Sequence, residues 1–439
     1  MIIEKDNQLD DFLLENQNKD CFIIPILSDV NRHPLDNSLC AIYVKIVDGE
    51  EGLLCFNHGE TLKLSLKKLL TINKFGSIFV HDKKQLSHVL EFGIDTPSGN
   101  VLKDEVMKKV IDVNLQHYMN KNEPLSIEEI STNTHDYFYR VMWKMKNTNR
   151  IIPILKHLEL CREQVKLLED NYKLPIHEEY NNEIIENLSF VEKSGLRKDD
   201  KMVFSEYNLY TSTGRPSNRF GGINFAALNK KDESRKPYTS RFQDGILVEF
   251  DYDAYHLRLI GHILDYKFPK GSVHEHMSEF YGDVDYETSK STSFQYLYGR
   301  IPQEVIDTNP FFFRVNNYIN EIWSDFKRRD FVESNIYNKR IYKKNLSAMN
   351  RNKLFNYMIQ LLETENNMKV MSELIPFLKG KQSKLILYSY DSFLFDFKLT
   401  DGLDFLTDVK EILEQNGVFP TKSSRGLNYH EMEDITEKL

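Results

Sequence analysis

Two apolar runs each lead to an aspartate: ILVEFDY at residues 246–252 and LILYSYDSFLF at residues 385–395. Nearly continuous apolar and aromatic residues predict strands that are buried on both faces. The runs would therefore present Asp251 and Asp391 at strand tips. Two carboxylates about 4 Å apart repel by several kcal/mol at an effective dielectric of about 20, unless a cation compensates them. Taken alone, either aspartate is more often a residue that ends a strand or occupies a hairpin turn.

Length, composition and charge define the broad class. With 439 residues, of which 41% are apolar, the chain is long enough for two or three domains. A net charge of −9 argues against a protein that coats nucleic acid indiscriminately. No run approaches the roughly 18 apolar residues of a membrane span, and the first residues lack the order of a secretory signal. We therefore expect a cytoplasmic protein with no membrane partner. Buried reduced thiols are expected at Cys21, Cys40, Cys55 and Cys161, which lack a CxxC pair or a histidine at ligand spacing.

The pattern of apolar runs and turns divides the chain. Residues 1–120 alternate short apolar runs with turn residues, which predicts a small mixed α/β domain with a hairpin turn at residues 48–51 and a helical stretch near residues 62–70. Residues 121–205 are expected to be mostly helical, because apolar residues from Ile154 to Leu168 follow a 3.6-residue period. Strands of the first part are expected at residues 21–27, 40–47, 52–56 and 77–80.

A basic stretch lies between residues 324 and 353. It combines nine basic and three acidic residues with interleaved aromatic residues. This mixture is typical of a surface that follows a phosphate backbone and stacks bases, although a solvated helical face is the more common explanation. The basic residues are Lys327, Arg328, Arg329, Lys339, Arg340, Lys343, Lys344, Arg351 and Lys353, and the acidic ones are Asp325, Asp330 and Glu333.

Five short elements follow one another in the second half of the chain. They are TGR at residues 213–215 with IN at 223–224, DYDAYHLR at 251–258, VH at 273–274, KSTSFQYLYG at 290–299 and YDS at 390–392. In this order they resemble the motifs of the family A DNA polymerases: the Thr-Gly-Arg of the template–primer contacts, motif A (DYSQIELR), DIH, motif B (KxxxFGxxYG) and motif C (HDE). The resemblance runs from about residue 208 to the C terminus.

The resemblance implies an α+β multidomain fold: a right-hand polymerase with palm, fingers and a reduced thumb, preceded by a ribonuclease H-like α/β domain. The implied domains are residues 1–120, a helical linker or reduced thumb at 121–205, and palm and fingers at 206–439. The implied function is template-directed DNA synthesis, in which a primer is extended with dNTPs by two-metal nucleotidyl transfer without proofreading. The implied partners are primer-template DNA, dNTPs and a processivity or replication factor.

The resemblance also implies roles for individual residues. Asp251 and Asp391 would be catalytic and hold two Mg²⁺ ions, or Mn²⁺ in their place, with Tyr252 beside them as a further metal contact, and Lys290 would reach the triphosphate. Implied nucleotide contacts are Tyr252, His256, His274, Phe294 and Tyr298. Implied DNA contacts are Arg215, Asn224, Arg258, Asn356 and Gln360.

Helical spacing supports several of these roles. Lys290, Phe294 and Tyr298 are four residues apart, so a helix places them on one face, with the ammonium towards phosphate and the rings towards the base. Core packing is the common alternative for such an aromatic pair. Asn356 and Gln360 also share a face and resemble readers of the minor groove, with surface polar residues as the alternative. Arg258 is the weaker DNA contact, because an arginine at this position often pairs internally.

Departures from the family leave the choice of sugar open. His256 stands where the family has a glutamate that helps to exclude ribonucleotides; Tyr286 and Glu287 replace basic residues before motif B. Tyr390 and Ser392 replace the outer residues of motif C. A first alternative is therefore a polymerase with relaxed sugar selection, which incorporates ribonucleotides or makes primers. A second alternative is a catalytically inactive nucleic-acid-binding factor.

The first 120 residues resemble a 3′–5′ exonuclease domain that has lost its metal ligands. That domain needs Asp-x-Glu on its first strand, where this chain has FIIPIL at residues 22–27, and a further aspartate where it has KQL at 84–86. Proline and leucine cannot bind a metal ion. The short thumb predicts weak processivity without a partner, and the compact length suggests a phage or other viral origin, with the host cytoplasm as the location.

Overall fold

The computed structural model describes residues 1–29, 32–125, 154–343, 346 and 348–439. The chain forms two compact units, Met1–Ser189 and Phe190–Leu439. The division expected at residues 120 and 205 stays a prediction. Residues 126–153 of the expected helical region and Lys344 of the basic stretch lie outside the described residues.

The first unit contains a six-stranded mixed sheet. Its strands are β1 (Ile2–Ile3), β2 (Cys21–Leu27), β3 (Leu39–Ile46), β4 (Glu51–Cys55), β5 (Ile78–Val80) and β6 (Val110–Asp112). The order is β1-β4-β3-β2-β5-β6, in which β3 is antiparallel to β2 and β4, while β5 and β6 run parallel to β2. The predicted strands and the hairpin turn after β3 are confirmed. The helical stretch expected near residues 62–70 is a 3₁₀ helix at Leu66–Lys74.

Apolar side chains cover both faces of this sheet. Alternate residues of β2 point to opposite faces: Ile23 packs in one core with Leu9 and Leu86, and Phe22 packs in another with Leu158. This burial explains why the strands are nearly continuous apolar runs. The helices are α1 (Asp6–Glu15), α2 (Lys83–Leu90), α3 (Pro97–Lys109), α4 (Val113–Lys121), α5 (Ile154–Glu169) and α6 (Glu178–Ser194). Helix α5 is the amphipathic helix expected from the 3.6-residue period.

The second unit is built on an antiparallel five-stranded sheet in the order β16-β17-β13-β18-β19. These strands are β13 (Gly245–Tyr252), β16 (Lys384–Ser389), β17 (Ser392–Lys398), β18 (Thr421–Gly426) and β19 (Glu433–Asp434). The first apolar run becomes β13, and the second folds into the hairpin of β16 and β17. Strand β17 pairs with β13 from Gly245 to Asp251. The shorter strands are β7 (Leu196–Lys198), β8 (Lys201–Val203), β9 (Tyr207–Asn208), β10 (Ser217–Phe220), β11 (Ile223–Asn224), β12 (Tyr238–Thr239), β14 (Phe331–Glu333) and β15 (Arg340–Tyr342).

One long helix organises the helical part of the second unit. The helices are α7 (Tyr255–Ile263), α8 (Val273–Ser278), α9 (Tyr286–Tyr298), α10 (Gln303–Thr308), α11 (Pro310–Arg329), α12 (Arg351–Leu378) and α13 (Leu403–Glu414). Helix α12 begins where the side chain of Asn350 accepts the N–H of Lys353, and it contacts α7, α9, α11 and α13. In the described ranges, no helix is both long and apolar enough to cross a membrane.

The four cysteines are free thiols, as the sequence predicts. Cys21, Cys55 and Cys161 are buried, and Cys40 is partly buried. Burial raises the pKa of Cys55 to about 11 and that of Cys161 to about 12, so both thiols stay protonated at neutral pH. The cysteines therefore contribute packing to the first unit.

Candidate active site

The two aspartates meet at one end of the central sheet of the second unit. Asp251 lies opposite Ser392 in the pairing of β13 with β17, and the N–H of Tyr252 donates to the carbonyl oxygen of Asp391 at 2.9 Å. Asp391 itself occupies the two-residue turn that joins β16 to β17. Both sequence interpretations therefore hold for Asp391, since it is a hairpin-turn residue and also a neighbour of the other aspartate.

The residue before Asp391 fixes this turn in an unusual conformation. Tyr390 has a φ of 63°, in the left-handed region that a bulky side chain rarely adopts. Its carbonyl oxygen accepts the Nδ2–H of Asn367 at 2.6 Å, and the guanidinium of Arg215 lies 3.6 Å from the centre of its ring. Contacts from two other segments thus hold the turn that presents the second aspartate.

The electrostatics of the pair favour a bound cation. Partial desolvation in the cleft, followed by the negative charges of Asp251 and Glu363, raises the pKa of Asp391 to about 6. Desolvation also raises the pKa of Asp251. The ammonium of Lys230 lies 3.4 Å from Oδ2 of Asp251, so the site already attracts a positive charge from the protein. These observations fit divalent metal ions, which would be held by Asp251 and Asp391.

Tyr252 cannot offer its phenol to a ligand in this cleft. The ring is stacked on Tyr255 with 4.2 Å between centroids, and its hydroxyl donates to the carbonyl oxygen of Leu413 at 2.7 Å. Tyr252 can therefore contact a metal ion or a nucleotide only through its backbone atoms. The side chain instead anchors the end of β13 against α13.

A cleft of about 560 Å³ opens at the aspartates and is called the first cleft. Its lining holds five carboxylates, among them Asp251 and Asp391, together with the ammonium groups of Lys230, Lys290 and Lys422 and one guanidinium. The imidazole of His274 lies among them. This mixture of charges suits an anionic ligand that carries divalent cations. Lys230 and Lys422 are functional candidates that sequence reasoning missed. Lys422 lies opposite Asp251 in the pairing of β13 with β18 and forms a 2.9 Å ion pair with Asp253.

Helix α9 presents the expected face to the clefts. The buried residues of the helix are Ser289, Ser293 and Leu297, on the neighbouring face. Lys290 is exposed, and Phe294 and Tyr298 are only partly buried. The two rings are parallel within 7°, with 5.8 Å between centroids. His274 packs 5.6 Å from Phe294, and burial lowers the pKa of His274 to about 4, so its imidazole is neutral at neutral pH. The aromatic pair is thus partly buried at the clefts, and its contact with a base stays a prediction.

A second cleft of about 330 Å³ adjoins the first and shares Phe294 and Asp391 with it. It is lined further by Arg215, His256, Tyr298, Asn356, Gln360 and Glu363. Residues from five separate segments therefore line this cleft. Asn356 and Gln360 follow one face of α12, and the amide of Asn356 donates to the carbonyl oxygen of Tyr298 at 3.1 Å.

A buried acid, which the sequence did not single out, connects three of these residues. The side chain of Glu363 is 1% exposed. Its Oε2 lies 2.8 Å from Nε of Arg215, and its Oε1 lies 3.1 Å from Nε2 of His256. The other ring nitrogen of His256, Nδ1, lies 2.5 Å from the hydroxyl of Tyr298. Acidic residues within a long helix are common, so no signal in the sequence marked this one.

Two of the expected DNA contacts, Asn224 and Arg258, are not among the residues that line either cleft. Asn224 is exposed on β11, where it pairs with Arg219 of β10. Arg258 donates to the carboxylate of Asp253 at 3.2 Å and to the carbonyl oxygen of Gly271 at 3.2 Å. Internal pairing, the alternative considered for Arg258 from the sequence, is therefore what the structure has.

The basic stretch is partly neutralised. Its three acids form ion pairs with Arg328, Arg340 and Lys343, at 2.7, 2.6 and 3.4 Å. Lys339 is buried. The guanidinium groups of Arg329 and Arg340 both lie within 4.6 Å of the centre of the Phe331 ring. The stretch thus mixes paired, buried and stacked cations.

The fold is similar to a solved structure: the POL domain of Pol1 from M. smegmatis in complex with DNA primer-template and dNTP. The TM-score is 0.67 at 12% sequence identity, and the match covers 98% of this chain and 99% of that chain. No protein-family model matches the chain, and no curated protein matches it by sequence. At this identity the likeness establishes the fold, which is the mixed α/β multidomain fold of a polymerase domain.

Proposed function

We propose that this chain is a template-directed DNA polymerase that extends a primer with dNTPs. The observation that carries the proposal is the first cleft, where Asp251, Asp391, Lys290 and Phe294 from three separate segments line one cavity within a polymerase-domain fold. The solved structure that shares this fold was determined with primer-template and dNTP, which supports the same class of ligands here.

The cleft has suitable groups for the chemistry. Nucleotidyl transfer joins the 3′-oxygen of the primer to the α-phosphorus, breaks the bond to the β-phosphate and releases pyrophosphate with its negative charge. Two Mg²⁺ ions, or Mn²⁺, held by Asp251 and Asp391 would supply Lewis-acid stabilisation of that charge. Lys290 would neutralise the departing pyrophosphate, and the parallel rings of Phe294 and Tyr298 would stack on the new base pair.

The second cleft would hold the duplex end of the substrate. Arg215, Asn356 and Gln360 offer donors that suit phosphate oxygens and the acceptors that every base pair presents in the minor groove. Asn224 and Arg258 line neither cleft, and their contacts to DNA stay predictions.

We further propose that residues 1–120 form an exonuclease-like domain without nuclease activity, and that residues 121–205 are a linker or reduced thumb. The sheet of the first unit has one antiparallel strand, β3, between β2 and β4, and parallel strands on the other side of β2. Strand β2, CFIIPIL, carries no carboxylate. We expect no hydrolysis of single-stranded DNA with Mg²⁺ or Mn²⁺; metal-dependent degradation by the purified chain would contradict this proposal.

Primer extension tests the main proposal. A labelled primer on a DNA template is incubated with Mg²⁺ and with deoxy- or ribonucleotides, using the wild type, Asp391→Asn and the control Asp408→Asn, whose aspartate is exposed on α13. We expect extension by the wild type and by the control and loss of about three orders of magnitude in Asp391→Asn. Comparable ribonucleotide extension would favour relaxed sugar selection. Duplex binding without any extension would favour an inactive binding factor.

A further inference from the structure

Lys422 lines the first cleft, and the chemistry proposed for that cleft does not use it. The residue lies on β18 and faces Asp251 of β13 in an antiparallel pair. Residues that face each other in such a pair present their side chains to the same side of the sheet. The side chain of Lys422 is 55% exposed. Lys422 therefore shares the side of the sheet on which Asp251 is presented, and a ligand can reach its ammonium.

The ammonium of Lys422 joins the sheet to the first turn of α9. It lies 2.9 Å from Oδ1 of Asp253 and 3.3 Å from the hydroxyl of Tyr286. Residues 285–289 at this end of the helix, DYETS, include no basic residue. A cation at the first turn of α9 is therefore supplied by the sheet.

The face of α9 gives the first cleft a direction. Tyr286, Lys290 and Phe294 are four residues apart, so they follow one face of the helix at steps of about 6 Å. The ring of His274 lies 5.4 Å from that of Tyr286 and 5.6 Å from that of Phe294, centre to centre, so these two rings lie on the same side. Phe294 marks the base end of the proposed nucleotide site, and Lys290 and then Tyr286 follow. Lys422, beside Tyr286, therefore lies at the end farthest from the base.

Asp253 can release Lys422 without being left uncompensated. The guanidinium of Arg258 lies 3.2 Å from Oδ2 of Asp253, whereas Lys422 contacts Oδ1. The side chain of Asp253 is only 15% exposed, so a charge without a partner would be costly there. If an anion draws the ammonium of Lys422 away, Arg258 still balances the carboxylate. The ion pair thus keeps the ammonium in the cleft until a stronger anion binds.

We propose that Lys422 binds the γ-phosphate of the incoming dNTP, while Lys290 binds the triphosphate nearer the base. The γ-phosphate is the last group of the triphosphate, so it lies at the end of the cleft where Tyr286 begins the row. A terminal phosphate carries a charge of about −1.5 to −2 and three acceptor oxygens, so it attracts an ammonium more strongly than one carboxylate does. Lys422 therefore moves from Asp253 to this phosphate when the nucleotide binds. The inference rests on the proposed polymerase function.

Nucleotide affinity tests this inference. The Kd values of a dNTP and of the matching dNDP are measured by isothermal titration with Mg²⁺ and a primer-template whose primer ends in a dideoxynucleotide. The variants are Lys422→Ala, Lys422→Arg and the control Arg425→Ala. Arg425 is exposed on the same strand and pairs with Glu433 at 3.3 Å, but it is not among the residues that line the first cleft.

The expected loss is confined to the nucleotide that has a γ-phosphate. Lys422→Ala should raise the Kd of the dNTP about tenfold and change that of the dNDP by less than about twofold. Lys422→Arg keeps the positive charge and should keep both Kd values near those of the wild type, as should the control Arg425→Ala. An equal loss of affinity for the dNTP and the dNDP in Lys422→Ala would overturn the inference.

Asp253→Asn separates phosphate binding from a purely structural ion pair. If the contact with Asp253 were the whole role of Lys422, removal of either partner would weaken dNTP binding alike. Phosphate binding instead predicts that Asp253→Asn keeps or lowers the Kd of the dNTP, because the ammonium loses its competing partner. A rise in that Kd equal to the rise in Lys422→Ala would contradict the proposal.

The outcomes distinguish this inference from the function on which it rests. A wild type that binds neither nucleotide and extends no primer contradicts the proposed polymerase, and the inference is lost with it. A wild type that extends the primer, while Lys422→Ala keeps the wild-type Kd of the dNTP, contradicts the inference alone. A loss that is confined to the dNTP and absent from Lys422→Arg supports both.

Discussion

The backbone N–H of Tyr252 donates to the carbonyl oxygen of Asp391 at 2.9 Å, which ties the end of β13 to the turn after β16. This bond extends the pairing in which Asp251 faces Ser392. The backbones that carry the two carboxylates are therefore tied together by a sheet and its hairpin turn. A site fixed in this way keeps two negative charges together even when no cation is present, and that has measurable consequences.

The first prediction concerns stability without metal. The pKa of Asp391 is about 6 in the folded protein and about 3.9 in an unfolded chain, so the folded state binds the proton more tightly. Stability therefore falls as pH rises from about 4 to 6, and above that range the ionised carboxylate is destabilising. Asp391→Asn is expected to stabilise the metal-free protein by about 1 kcal/mol at neutral pH, after allowance for solvent screening.

Denaturant unfolding in the presence of a chelator, at about pH 7.5 and about pH 4, measures this difference. The gain in the free energy of unfolding should largely vanish at the lower pH, because Asp391 in the folded wild type is then protonated and as neutral as the asparagine of the variant. Added Mg²⁺ should stabilise the wild type and not the variant. A variant that is less stable than the wild type at neutral pH would contradict the expected repulsion.

The second prediction concerns the pH dependence of metal binding. A divalent ion has to displace the proton from Asp391, so the apparent affinity for Mg²⁺ should weaken about tenfold for each pH unit below about 6 and level off above it. The Mg²⁺ concentration that gives half-maximal primer extension, measured across this range, reports the affinity. A flat profile down to about pH 5 would mean that Asp391 does not hold the metal.

The third prediction concerns the triphosphate. Lys290 is exposed on the cleft face of α9, and a charge-assisted contact to phosphate contributes about 1.5–3 kcal/mol. Lys290→Ala should therefore raise KM for the dNTP by about one to two orders of magnitude, with less effect on primer-template affinity. Lys379→Ala, at an exposed lysine next to the end of α12, is the matched control and should leave KM unchanged.

The fourth prediction separates two arginines that the sequence treats alike. Both arginines are paired with an acid, Arg258 with Asp253 and Arg215 with Glu363, but of the two only Arg215 is among the residues that line the clefts. Arg258→Ala should lower the free energy of unfolding by about 1–2 kcal/mol and leave the Kd for primer-template within about twofold. Arg215→Ala should raise that Kd about tenfold. Equal weakening of DNA binding by both substitutions, measured by fluorescence anisotropy, would restore Arg258 as a DNA contact.

The features that the sequence predicted correctly are those that depend on local patterns of residues. Apolar runs identified β13, β16 and β17, and i, i+4 spacing identified the face of α9 that carries Lys290 and Phe294. These features depend only on the alternation of a strand and the period of a helix. Asn224, in contrast, was assigned by its order in a motif, and its contact with DNA stays a prediction.

The sequence did not predict contacts between segments that are far apart along the chain. Lys422 reaches the first cleft because β18 pairs with β13, and this pairing joins residues about 170 positions apart. Glu363 is paired to Arg215 across 148 positions. Charged residues on a strand or helix are ordinarily solvated, so only the tertiary structure shows which of them face a cleft. The helical stretch expected near residues 62–70 is a 3₁₀ helix at Leu66–Lys74, a distinction that the period of apolar residues does not make.

The left-handed backbone at Tyr390 has a further consequence for how this site could change over evolutionary time. A glycine would adopt this conformation without strain, yet it would lose the ring on which the guanidinium of Arg215 rests. Glycine at this position would remove the backbone strain, whereas tyrosine keeps the contact with Arg215. This chain has the tyrosine. Replacement of Tyr390 would remove a contact of Arg215, which lines the second cleft. Substitutions at positions 390 and 215 are therefore expected to depend on each other during evolution.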